Sequence, residues 1–405
     1  MQAVPSPSAG LLVGLMVAHF TNDLYANFLP VYLPLLRETL GLNLTLVAVL
    51  STVFTVTASF SQLGFGLLAD RMPRWNFVLW GPLLTGGFMS VIGVLPGYGW
   101  VLGALVLAAL GTAMFHPQAT ALSGRIFAGR KGLYVSLFIS AGMLGFSLGP
   151  ALMALWLDRF SLEASPWALL PLVALGALLA RLLRAVAVPA ASSLPSPAAS
   201  AAAGAEAPPQ AQGQGQGRAA LALLWGLVVL RHTVLLSFLT FLVILLQGRG
   251  FDYLAGSLSL VGFLFVSVPS GLLGGFLSDR FGRWPVTVVT LWTGFLAMLG
   301  FLLTSGWPSL TLLLLGGGLL SASNPVIVAH AQELLPRNAG TASALVMGVA
   351  WGVSGLMVTA VGALGDAWGI ERALSAATLG AFGLTVGLTR AGTRLRPLQI
   401  QHGRP

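Results

Sequence analysis

HFTNDLYANFLPVYLP, His19 to Pro34, lies inside an apolar run that begins at Leu11 and lasts until Arg37. That run is long enough to cross a bilayer, which takes about 20 apolar residues. Near its middle it nevertheless carries His19, Asn22 and Asp23. An acid at the centre of a spanning helix costs roughly 2.5–3.5 kcal/mol on insertion scales. On a helix, residues 19, 22, 23, 26 and 30 share one face. A polar face of this kind belongs against a protein interior or a wet cavity, not against lipid.

The composition agrees with a lipid environment. Of the 405 residues 56% are hydrophobic and 8% charged, and the mean hydropathy is +0.88. Soluble domains carry about a quarter charged residues. The net charge of +9 is spread over short loops and makes no basic patch, so no nucleic-acid partner is expected. With no cysteine, neither a disulfide nor a thiolate metal site is available. The first ten residues hold no positive charge, so the first apolar run is expected to be a lasting span, not a signal peptide.

Hydropathy windows place helices near 11–36, 44–68, 76–95, 100–124, 132–157 and 166–187, then near 219–247, 254–277, 286–305, 308–331, 339–364 and 372–390. Between the sets, residues 188–217 are rich in Pro, Ala, Ser, Gly and Gln and read as a flexible linker. The expected domains are a six-helix bundle over 1–187, the linker over 188–217, a second six-helix bundle over 218–390 and a tail over 391–405. On this map fifteen Lys and Arg residues fall on one side of the membrane and four on the other. The positive-inside rule then puts both termini and the linker in the cytoplasm. The remaining basic residue, Arg231, falls inside span 7.

The halves repeat. GLLADRMPRW (66–75) and GFLSDRFGRW (275–284) follow spans 2 and 8 at an offset of 209 residues. His116-Pro117 on span 4 and Asn324-Pro325 on span 10 correspond at an offset of 208. Proline removes a helical hydrogen bond, so kinks are expected at Pro117 and Pro325, at Pro150 on span 5, and near the outer end of span 1 at Pro30. Internal repeats of this type mark secondary transporters, with binding near the midplane between the repeats.

The two D-R-x-x-R loops resemble the signature of the major facilitator superfamily. A narrower resemblance, to its fosmidomycin resistance branch of efflux transporters, rests on HFTNDLYANFLPVYLPLL (19–36), FHPQA (115–119), SLFISAGMLGFSLGP (136–150), AQELLP (331–336) and GALGDAWGI (362–370). The resemblance implies an all-α integral membrane protein of twelve transmembrane helices in two pseudo-symmetric six-helix bundles. It also implies a monomer in the cell inner membrane and proton-coupled efflux. For the loops it implies a conformational latch formed by Asp70, Arg71 and Arg74 and by Asp279, Arg280 and Arg283. A plain topogenic charge cluster is the competing reading for the arginines. The superfamily's glycine at the second loop's Gly282 is replaced by Pro73 in the first.

Four histidines, His19, His116, His232 and His330, lie within spans 1, 4, 7 and 10, which in that superfamily line the central cavity. Asp23, with His19, His116 and His232, forms the candidate proton-coupling set, because histidine titrates near neutrality and a carboxyl responds to burial and to nearby cations. Candidate substrate-binding residues are Arg231, Asn22, Tyr25, His116 and Asn324. A guanidinium grips an anionic group bidentately. A permanent Asp23–Arg231 ion pair and simple interhelical hydrogen bonding stand as alternatives.

These residues imply a proton-driven exporter of small amphiphilic or anionic compounds that needs no cofactor beyond the proton gradient. Proton-linked uptake of an organic anion and a non-transporting sensor are the alternatives. No H-E-x-x-H, P-loop or metal-ligand motif occurs, so neither an enzyme, an ATP-driven pump nor a metal site is expected.

Overall fold

In the computed structural model, residues 9–71, 76–126, 131–184, 214–335 and 339–395 are described, and they form helices and no strand. Arg74 lies outside these ranges, as do the side chains of Asp70 and Arg71, so the first loop of the expected latch is not described. Ten helices among the described residues are long and apolar enough to cross a membrane, from Leu44–Ala69 to Thr341–Trp368. The first span is broken by a turn and the last, Ile370–Gly392, carries Glu371, Arg372 and Arg390 at its ends. The fold is all-α, with twelve membrane-spanning helices in two bundles. By contacts the chain divides into a unit of Met1–Ser192 with Gly250–Val261, and a unit of Ser193–Arg249 with Gly262–Pro405.

In the first unit, span 1 consists of α1 (Ala9–Ala26) and α2 (Leu29–Thr39). The sequence predicts a bend at Pro30; the structure breaks the helix outright at Asn27 and Phe28. Pro30 has no N–H to give the Ala26 carbonyl. Asn27 eases the interruption, since both its backbone N–H and its Nδ2 donate to the Asp23 carbonyl, at 3.2 and 2.9 Å.

The unit continues with α3 (Leu44–Arg71), α4 (Phe77–Val91), α5 (Tyr98–Ile126), α6 (Lys131–Phe160) and α7 (Leu169–Arg184). The helices α5 and α6 run uninterrupted through Pro117 and Pro150. Leu15, Ala18, Phe115 and Phe138 pack into its apolar core. In lipid, apolar burial gives helices little reason to associate, so small residues that admit close approach decide the packing. On α6, a Cβ added at Gly149 would strike the Leu24 backbone, and one at Gly145 the Phe20 backbone. Thus Gly145-x-x-x-Gly149 lets α6 lie directly on α1.

The second unit contains α8 (Gln214–Gly248), α10 (Ser267–Phe281), α11 (Arg283–Leu303), α12 (Gly306–Leu334), α13 (Ala339–Ser343), α14 (Ala350–Trp368) and α15 (Ile370–Gly392), while α9 (Tyr253–Phe265) precedes α10. Span 8 is interrupted at Val266, four residues after Gly262 and three before Pro269, whose missing N–H leaves the Phe265 carbonyl without its helical donor. In span 11 a π-helical segment, Ala344–Val349, separates α13 from α14. Neither interruption was among the sequence expectations. The helix α12 runs through Pro325. Exposed apolar side chains such as Leu272, Phe276, Leu303 and Trp307 have no place on a water-soluble surface and suit a lipid-facing one.

Candidate functional site

Asp23 stands between two histidines. Its Oδ2 lies 3.3 Å from His19 Nε2, one turn earlier on α1, and its Oδ1 lies 3.6 Å from His116 Nε2 on α5. The i,i+4 spacing brings His19 to Asp23; only the packing of α5 on α1 brings His116. Oδ1 also accepts from Asn22 Nδ2 at 2.9 Å. Asn22 is fully buried, and its Oδ1 lies 3.2 Å from the Thr85 hydroxyl of α4. Thr85 has one hydroxyl proton. It donates that proton to Asn22 Oδ1 or to the Ala108 carbonyl at 3.1 Å, and can accept from Thr112 Oγ1 at 3.1 Å. A chain of hydrogen bonds thus runs from α5 through α4 to the acid on α1.

His19 Nδ1 is 2.8 Å from the Phe138 carbonyl. A carbonyl only accepts, so Nδ1 carries a hydrogen and donates. The Nε2–Oδ2 contact therefore needs one proton between its two atoms: either an imidazolium faces a carboxylate, or a neutral imidazole accepts from a carboxylic acid. Without that proton, two lone pairs would confront each other.

The other expected residues have different surroundings. Tyr25 is 1% exposed and its hydroxyl donates to the Ala168 carbonyl at 2.7 Å. It ties α1 to the turn that precedes α7. Asn22 likewise is buried and donates to Asp23. In the second unit Arg231, 2% exposed, donates to Asn324 Oδ1 at 2.9 Å and to the Leu320 carbonyl at 3.3 Å. Its Nε has no hydrogen-bond partner among the described residues. The neighbouring His232 stacks on Trp351 at 4.5 Å between centroids. Trp351 is the second residue after the π-helical segment, and tryptophan stacking was not an expectation from sequence.

At the second loop, Arg283 makes ion pairs with Asp279 at 2.6 Å and with Glu333 of α12 at 3.2 Å. It also donates to Ser278 Oγ at 2.5 Å. Gly282 between the helices has φ 91°, a conformation open to glycine. The Arg280 guanidinium lies over the Phe281 ring. Glu333, one turn after His330, takes Arg283 as its ion-pair partner. His330 is buried, with its ring edge-on to Trp284. No sequence spacing signals the Arg283–Glu333 contact, which spans two helices.

The helical bundles with an ionisable cluster inside them have the architecture of a secondary transporter of the membrane. The model of the Major Facilitator Superfamily matches residues 15–359, and the chain belongs to that family. It is 26% identical over 372 residues to the fosmidomycin resistance protein of Escherichia coli (strain K12), covering 90% of this chain and 88% of that one. It is also 26% identical over 400 residues to the uncharacterized MFS-type transporter YfnC of Bacillus subtilis (strain 168), covering 95% and 94%. Among solved structures, a bacterial homolog of the human lysosomal transporter Spinster, inward-facing and unoccupied, matches with a TM-score of 0.77 at 14% identity, covering 98% of each chain. The nucleoside transporter NupG matches with a TM-score of 0.74 at 14% identity, covering 95% of this chain and 100% of that one. At such identities these structures speak to the fold.

Proposed function

We propose that the protein is a proton-coupled exporter of small amphiphilic or anionic compounds, of the type a fosmidomycin resistance protein would handle. It works as a monomer by alternating access in the cell inner membrane, with both termini cytoplasmic and the proton gradient as its only energy source. The observation that carries this reading is the contact between His19, Asp23 and His116. A carboxylate that shares a proton with an imidazole inside a spanning helix can load and release that proton as its surroundings change. The hydrogen-bond chain through Asn22, Thr85 and Thr112 supports coupling of that event to the packing of α4 and α5 on α1.

Arg231 is the proposed anchor for an anionic group, because its described partners are a neutral amide and a carbonyl, which leave its charge uncompensated. At 2% exposure it meets an anion only in another state of the cycle. The latch is assigned to Asp279 and Arg283, with Glu333 added.

Flux into or out of proteoliposomes under an imposed pH gradient tests the reading. Export coupled to inward proton flow is expected, with coupling lost in Asp23→Asn. Gradient-driven flux that is undiminished in that variant rejects Asp23 as the coupling site. Substrate accumulation together with protons would reassign the protein to uptake.

A further inference from the structure

His19, Asp23 and His116 each offer a ligand atom, and these atoms all lie within 4.8 Å of one another. We infer that the three residues form a binding site for a divalent transition-metal ion of the zinc class. The reasoning begins with lone pairs. The Nδ1–H of His19 is committed to the Phe138 carbonyl, so Nε2 is the atom turned to Asp23. Nε2 of His116 is turned to the same carboxylate from another helix. Protons satisfy the two contacts separately, one held between His19 Nε2 and Oδ2 and another on His116 Nε2 in its Nε2–H tautomer. One metal ion serves both nitrogens and the carboxylate together.

The distances suit such an ion. With bonds of about 2.0–2.2 Å, the ligand atoms of a tetrahedral zinc site lie about 3.3–3.6 Å apart. His19 Nε2 lies 3.3 Å from Asp23 Oδ2 and His116 Nε2 lies 3.6 Å from Oδ1, separations of this size to the two oxygens of one carboxylate. One ligand atom from each of the three residues lies within 4.8 Å of the others. Two imidazoles and a carboxylate favour zinc, cobalt or nickel over magnesium and calcium, which prefer oxygen-only sites. The supporting shell is also present. Metal-bound histidines typically donate their other ring N–H to a carbonyl, as His19 does to Phe138, and metal-bound carboxylates accept a further hydrogen bond, as Asp23 does from Asn22. The side chains of His116 and Asp23 are 27% and 16% exposed, which leaves an entry path and room for a water as fourth ligand.

The inference does not rest on proton coupling, because it concerns binding without a gradient. The test uses full-length, untagged protein in detergent after chelator treatment, with Co²⁺ as spectroscopic probe and Zn²⁺ as competitor. One Co²⁺ per chain is expected, with the intense visible bands of four-coordinate cobalt, displaced by Zn²⁺. Zn²⁺ affinity is expected to fall at least about ten-fold in His116→Ala and in Asp23→Asn. X-ray absorption of the Zn²⁺-loaded wild type, which needs no variant to fold, is expected to show two imidazole ligands. A shell of oxygen ligands alone, six-coordinate cobalt bands, or Zn²⁺ affinity retained in both variants would overturn the site. Loss of gradient-driven flux in Asp23→Asn belongs to the transport reading and leaves these spectroscopic outcomes unaffected.

Discussion

His19 and Phe138 are joined twice. The Nδ1–H of His19 donates to the Phe138 carbonyl at 2.8 Å, and the two rings stack at 4.2 Å between centroids with 28° between planes. The backbone of α6 thereby sets both the tautomer and the orientation of a ring on α1. A Cβ added at Gly142, one turn further along α6, would run into that same ring. Gly142→Ala is therefore expected to displace His19 from Asp23. Histidine ¹⁵N NMR of selectively labelled protein should show the Nδ1–H form at His19 in the wild type and a changed signal in the variant. An unchanged His19 signal in Gly142→Ala would mean the ring is not held this way.

The close approach of α6 to α1 makes a stability prediction. At Gly149 an added Cβ would meet the Leu24 carbonyl, backbone atoms that cannot swing aside. Gly149→Ala should cost on the order of 1–3 kcal/mol, the usual range for overpacking. Thermal unfolding in detergent reads the change. A variant as stable as wild type would contradict the packing of α1 on α6.

Thr85 is fully buried and lies within hydrogen-bond distance of Asn22, Ala108 and Thr112. Thr85→Val keeps the shape and removes the hydroxyl, leaving buried polar partners unsatisfied at a cost of about 1–3 kcal/mol. Because Asn22 hydrogen-bonds Asp23, the pH profile of transport is expected to shift as well. Thr85→Ser, which restores the hydroxyl, should restore the profile; an identical profile in Thr85→Val would confine the residue to packing.

Asn324→Leu should leave Nη2 of buried Arg231 without its amide acceptor. A loss of about 1–3 kcal/mol is expected in the same unfolding assay. Arg231→Lys should not rescue activity, since a single ammonium cannot reach Asn324 and the Leu320 carbonyl with the guanidinium's fork. Wild-type activity in Arg231→Lys would remove the case for fork geometry.

The Arg283–Glu333 pair is partly solvent-exposed, 26% and 33% for the two side chains. Its contribution to stability is accordingly expected to be about 0.2–1 kcal/mol. If the pair latches the loop during the cycle, Glu333→Gln should change the transport rate more than the unfolding temperature. A double-mutant cycle with Arg283→Gln measures the coupling; additive effects on rate would separate the two residues.

The sequence alone determined the class of this protein and its repeated architecture. Low charge, long apolar runs and two D-R-x-x-R loops at one offset are properties that do not depend on which helix touches which, so they are legible in the chain. The face carrying His19 and Asp23 was legible for the same reason, because i,i+4 neighbours meet within one helix. Tertiary structure decided the partners. It turned Tyr25 to Ala168, gave Arg283 to Glu333, seated Arg231 on Asn324, and brought His116 from α5 to Asp23. Those contacts follow from helix rotation and close approach. Helix packing in lipid is set by small residues and polar groups distributed over several spans, and a single span's periodicity carries no record of the face its neighbour presents.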